Sequence, residues 1–262
     1  MKWALLIGAL CLAGCNKPES TYARNSDVKA GDIKSGYAFL QDDTKALQDD
    51  DFANPGFLWV DRGKRLFETA ETGASTCSTC HGAHGMPLKG VAAHYPKVDA
   101  KTGKLLNLEA AINLCREQHQ GLEPLAYESD DLLGMTAYVA SLSRGEPVSV
   151  DITGPAAKYY EEGRDYFFRR KGQFNLACSQ CHNEHWGEKL RGDTISQGHG
   201  NAFPAYRLEW QDFGSLHRRL RDCDTGIRAE PQDYGSETYM AVELYLAKRA
   251  EGLAMESPGV RR

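Results

Sequence analysis

Two copies of Cys-x-x-Cys-His constrain this chain more than any other feature. The first is Cys77-Ser78-Thr79-Cys80-His81 and the second is Cys178-Ser179-Gln180-Cys181-His182. This is the attachment signature of a c-type haem. The two thiols become thioethers to the haem vinyl groups, and the adjacent histidine takes one axial position on the iron. The pattern implies two covalently bound haem c groups, held by Cys77 and Cys80 and by Cys178 and Cys181. His81 and His182 are then the first axial ligands.

Such haems are attached outside the cytoplasm, and the start of the chain agrees. Met1-Lys2-Trp3 is a short basic start, and Ala4 to Gly14 is an apolar run too short to span a bilayer. It reads as an export signal. Leu12-Ala13-Gly14-Cys15 has the form of a lipobox, so residues 1–15 read as a signal peptide with Cys15 as the candidate lipid anchor. Residues 16–30 are polar and read as a tether. The expected location is the periplasm.

The two motifs sit in two copies of one pattern. Residues 123–145 align without a gap on residues 230–252 at an offset of 107, with seven identities. Gly63 lies 14 residues before Cys77, and Gly163 lies 15 before Cys178. Self-similarity of this kind marks an internal duplication. The chain should therefore be mainly α, with two tandem cytochrome c-like haem domains at 31–150 and 151–262. Gly154-Pro155 breaks the pattern between them. Helices are expected over Tyr37 to Leu47, Asp61 to Thr69, Leu105 to His119 and Ser129 to Ser143, the last capped by Ser129. The acidic run Asp49-Asp50-Asp51 reads as solvated surface, and Asn54-Pro55-Gly56 as a turn.

Of the eight cysteines, two lie in the leader and four in the motifs, which leaves Cys115 and Cys223. Each precedes its own Glu-Pro pair by 8 and 7 residues. Methionine or histidine is the usual second axial ligand. Met135 aligns with Val242 and has the spacing of a helix core. Met86 lies too close to its own motif to reach the far face of a haem. Neither these nor His84, His94, His119, His185, His199 or His217 recurs in both halves. The leftover cysteine nearly does, so Cys115 and Cys223 are read as the remaining iron ligands. A Cys115–Cys223 disulfide is the other way to use the pair.

Cys223 also has company that Cys115 lacks. Arg218, Arg219 and Arg221 precede it and Arg228 follows. On a helix, residues four and five positions back lie about one turn away. Cations there favour the thiolate, and guanidinium forks suit a small oxyanion. A solvated cationic helix face is the plainer reading of any one of them. The net charge of −5 and the lack of a basic stripe give no sign of nucleic-acid binding.

These residues resemble the SoxA family, the dihaem A subunit of SoxAX cytochromes. The resemblance is carried by Asp49 to Gly56, Ala137 to Gly145, Cys223 to Pro231 and the tail Glu256 to Arg262. It implies an L-cysteine S-thiosulfotransferase, which couples thiosulfate oxidatively to a cysteine of the SoxYZ carrier. Two electrons would pass to a SoxX-type monohaem cytochrome partner and on to a soluble cytochrome c. It further implies that Cys223 is the active-site haem ligand and can carry a persulfide. Arg219 would stand at the substrate, with Arg218 or Arg221 assisting, and Cys115 would ligate the other haem. The lipobox departs from the plain export signal expected of the family. A dihaem electron carrier with no substrate site is the competing reading.

Overall fold

The computed structural model describes residues 27–71 and 73–262. Cys11, Cys15, the signal peptide and residues 16–26 of the tether lie outside them. The helices are α1 (Asp42–Asp49), α2 (Phe57–Glu68), α3 (Cys77–His81), α4 (Leu108–Cys115), α5 (Asp130–Ser141), α6 (Ala157–Phe168), α7 (Cys178–His182), α8 (Leu216–Gly226) and α9 (Glu237–Arg249). Strands are short. β1 (Lys97–Val98) pairs with β2 (Leu105–Leu106), and β3 (Lys189–Leu190) with β4 (Asp193–Thr194). β5 (Ala205–Arg207) lies between antiparallel β6 (Asp212–Gly214) and parallel β7 (Gly259–Arg261).

Each half is organised by one close helix crossing. α2 crosses α5 where Gly63 faces Gly134. A Cβ on Gly63 would stand 1.9 Å from the Gly134 carbonyl oxygen. α6 crosses α9 where Gly163 faces Ala241, and a Cβ there would stand 2.0 Å from the Ala241 oxygen. The absent side chain lets the two backbones touch. One turn on, Phe67 meets Tyr138 at 5.3 Å between ring centres, and Phe167 meets Tyr245 at 5.2 Å. All four rings are buried. Ser129 caps α5 by accepting from Leu132 N, and Ser236 caps α9 by accepting from Tyr239 N. Asn107 caps α4 and Ser215 caps α8 in the same way.

Three expected helices have different bounds. Tyr37 to Leu47 divides into a 3-10 turn over Gly36–Phe39 and α1, because Leu40 and Gln41 are extended. α2 begins at Phe57 rather than Asp61, since the Asn54 carbonyl accepts from Phe57 N directly after the turn. Leu105 to His119 contains a strand, then α4, then a π-turn over Arg116–Gln120. The acidic run is exposed yet engaged. Asp51 pairs with Arg144 at 2.5 Å, and Asp49 accepts from Tyr37 Oη at 2.6 Å.

The ends of the chain cross over the middle. Asp27, at the end of the expected tether, is pinned to Arg249 at 2.5 Å and to Tyr245 Oη at 2.9 Å. Lys34 N donates to Gln197, and Phe39 meets Trp186 edge-on. In the other direction, the C-terminal tail lies on the first half. Asn54 donates to the Pro258 carbonyl at 2.9 Å, and Val260 N donates to Gln48 Oε1 at 2.9 Å. Phe213 of β6 stacks on Trp59 of α2 at 4.9 Å. Among the described residues no helix is long and apolar enough to cross a membrane.

Candidate haem and substrate site

Thr76 caps α3 and Ala177 precedes α7, so each Cys-x-x-Cys-His motif is a single helical turn. That turn places its two cysteines and its histidine on neighbouring positions. His182 is half-buried, and its Nδ1 lies 2.7 Å from the Ser196 carbonyl. A carbonyl only accepts, so Nδ1 carries the proton and Nε2 keeps its lone pair. Burial pushes this imidazole down to about 4, against the opposing pull of the Ser196 carbonyl. Arg219 and Arg249 push the same way more weakly. The ring is neutral at physiological pH, the form that binds a metal. Gly198, at φ +76, lies flat against it, and a Cβ there would stand 2.9 Å from His182 Cγ. His81 is half-buried on α3, with its ring 6.3 Å from that of Phe67.

The leftover cysteines each turn to their own motif. Cys115, the last residue of α4, is near enough to its motif to raise the Cys77 thiol, and Cys80 is near enough to raise that of Cys115. Burial is the larger cause at both Cys77 and Cys115. Cys223, on α8, acts in the same sense on Cys178 and Cys181. Burial pushes Cys178 up to about 12, with Lys171 opposing. The six described cysteines are free, and Cys115 and Cys223 are not joined to each other. A half-buried neutral histidine with a free Nε2, two thiols beside it and a third thiol from α8 form a donor set that fits haem c. Four of the other candidates are otherwise placed. Met135 is in the core, Met86 is exposed, His84 pairs with Glu68, and His217 is buried against Glu243 at 3.2 Å.

The arginines before Cys223 separate by partner. Arg218 pairs with Asp212 at 2.8 Å and covers the Trp210 ring at 4.5 Å. Arg221 donates to the Gln232 carbonyl and covers Tyr234 at 4.7 Å. Arg228 donates to Gln173 and covers Phe174. Arg219 is half-buried, and among the described residues its guanidinium has no hydrogen bond or carboxylate. It is close enough to His182 and to buried Arg207 to disfavour charge on both. An unpaired guanidinium beside the His182 imidazole, one turn before a thiol, can hold a small anion against that thiol.

Four residues of this region escape a reading by motif: Ser196, Arg249, Lys171 and Asp224. Ser196 acts through its backbone and leaves no trace in sequence. Lys171 stands eight residues after Gly163, as Glu71 stands eight after Gly63, so a longer self-alignment would have found it.

A family model for the SoxA/TsdA cytochrome c domain matches residues 62–148. The L-cysteine S-thiosulfotransferase subunit SoxA of Rhodovulum sulfidophilum is 40% identical over 88% of this chain and 80% of its own. The corresponding subunit of Paracoccus pantotrophus is 38% identical over 87% of this chain and 79% of its own. The crystal structure of SoxXA from P. pantotrophus superposes with a TM-score of 0.83 at 38% identity, covering 88% of this chain and 87% of that one. With identities of this size over most of its length, and with that structure matched across both halves, the chain is a c-type cytochrome that belongs to the SoxA family of L-cysteine S-thiosulfotransferase subunits.

Proposed function

We propose that this protein is the thiosulfate-binding subunit of a SoxAX-type complex in the periplasm. It joins thiosulfate to a cysteine of a SoxYZ carrier while a SoxX-type monohaem cytochrome is its partner and a soluble cytochrome c takes the electrons. The reading assigns two haems. Cys77, Cys80, His81 and Cys115 would hold the first, and Cys178, Cys181, His182 and Cys223 the second. When bound, a haem supplies one-electron acceptance, which suits an oxidation that must release its two electrons singly. The paired crossings at Gly63 and Gly163, with matched caps and ring pairs, support a duplication with units near 31–150 and 151–262. The ends of the chain are exchanged between those units.

The protein's own residues do the rest. Arg219 holds the thiosulfate dianion by charge-assisted hydrogen bonds. Arg218 and Arg221 are committed to Asp212 and Gln232 and shape the approach. Cys223 bonds to the outer sulfur of thiosulfate, giving up one proton and two electrons, and the carrier thiol then takes the thiosulfonate as its own proton passes to the departing Cys223 thiolate. For the carrier the balance is thiol plus thiosulfate giving the S-thiosulfonate, one proton and two electrons. Cys15 would add a lipid anchor.

The observation that carries this reading is the pairing of Cys223, turned to the Cys178–Cys181 turn, with the unpartnered Arg219 one turn earlier on α8. The test is Cys223→Ala in the purified complex. Loss of thiosulfate-dependent modification of the carrier is expected, with both haems still attached by mass. Retained coupling would leave only an electron carrier.

A further inference from the structure

Asp224 follows Cys223 directly and is buried, at 2% exposure. One carboxylate oxygen accepts from Tyr166 at 2.5 Å and from Tyr239 at 2.7 Å. The other stands 2.5 Å from Lys171 Nζ, which also lies 3.4 Å from the centre of the Tyr166 ring. Three elements thus converge on one carboxylate: α6 through Tyr166, α9 through Tyr239, and the segment entering α7 through Lys171. The Asp224 backbone carbonyl adds a stop, accepting from Ile227 N and from Ala229 N.

The first half holds the counterpart with its sign reversed. Arg116 follows Cys115 directly and is buried, at 9% exposure. Its Nη1 stands 2.7 Å from Glu71 Oε1, and its Nε donates to the Glu123 carbonyl at 3.3 Å. Glu71 lies on the segment entering α3, as Lys171 lies on the segment entering α7. In each half, the residue after the leftover cysteine meets an opposite charge just upstream of that half's own attachment cysteines. Reversal of both partners keeps the attraction, with Glu71 about half exposed where Lys171 is mostly buried. A buried ion pair is weak evidence of stabilisation, and its best-attested use is to fix register. Removing one partner is costly because the other charge stays buried.

The geometry points to a positioning role. The Asp224–Lys171 pair clamps the end of α8 to the segment carrying Cys178, which fixes where the Cys223 sulfur stands. Arg116–Glu71 is the same clamp for Cys115 with opposite polarity. The role deepens the reading of Cys223 as haem ligand and sulfur carrier, and rests on it. Lys171, Asp224, Tyr166 and Tyr239 act through the cysteine and touch no substrate.

The test uses the dihaem protein. Lys171→Met, Asp224→Asn and Tyr166→Phe are compared with Glu71→Gln, reading the low-spin spectrum of each haem and the rate at which iodoacetamide alkylates Cys223. Lys171→Met should change only the signature of the Cys178–Cys181 haem and raise Cys223 alkylation about tenfold, the scale of a modest loss of local order. Glu71→Gln should change only the other signature. Lys171→Glu with Asp224→Arg, which copies the polarity of the first half, should return the alkylation rate to within about threefold of the parent. Should Asp224→Asn fail to accumulate, Lys171→Met and Tyr166→Phe decide. Lower thermal stability in those two with unchanged spectra and alkylation would overturn the clamp. Cys223→Ser is the control. If it leaves the spectrum untouched, the ligand reading falls, and the alkylation arm still decides the clamp.

Discussion

On α8 the three arginines before Cys223 have different partners, and a substitution series separates them. Arg219→Met should lower thiosulfate coupling by about two orders of magnitude, the scale of losing one charge-assisted contact to a dianion. Arg218→Met, which loses Asp212 and the Trp210 face, should change it by less than about tenfold. Steady-state coupling at saturating and at limiting thiosulfate checks both. Helix spacing placed all three arginines near the cysteine without ranking them, and only the family resemblance singled out Arg219, because the ranking depends on which carboxylates and rings fold against each. Glu109 is a different case. It is buried beside a cavity of about 60 Å³ that Glu243 and Thr136 also line. Burial first, then the Glu243 carboxylate and more weakly Glu128, push it up to about 8 from 4.5. The native state therefore holds a proton that the unfolded chain has released. That contribution is complete below about pH 4.5 and is lost as pH rises to about 8. Glu109→Gln should thus raise stability at pH 8 by on the order of 4 kcal/mol, with a higher melting temperature there, and change little near pH 4. Thermal melts across that range would show it.

At the level of helices, the two glycine crossings are the tightest points. Gly163→Ala should cost at least about 2 kcal/mol, because its Cβ would overlap the Ala241 carbonyl and rigid backbone cannot yield as a side chain can. Gly63→Ala should behave alike at the Gly134 carbonyl. Denaturant unfolding with haem retained measures both. These glycines were visible in the sequence as landmarks with near-equal spacing to the motifs, but not as contacts. The caps at Ser129 and the apolar face of α5 were legible because they depend on neighbours within four residues. The start of α2 was not, since Trp59 has its partner at Phe213, far along the chain. The π-turn after Cys115 was hidden for the same reason: Arg116 turns toward Glu71 rather than following the helix.

Across the whole molecule, the tail is the part that sequence placed least well. The motif Asn54-Pro55-Gly56 read as a turn without a partner, and in the fold Asn54 is buried and receives the C-terminal segment. Asn54→Ala should cost about 1–3 kcal/mol, since the Pro258 carbonyl and Gly56 N–H both lose a buried partner. It should lower a single unfolding transition rather than split it into two, which calorimetry would reveal. The crossing of the termini has one more result. A protease cut in the stretch at 151–154 would sever the chain between the halves without freeing either. The leading strand would stay tucked under Arg249 and Trp186, and the trailing one under Gln48 and Asn54. The nicked product should elute from a sizing column at the volume of the intact chain and come apart only in denaturant.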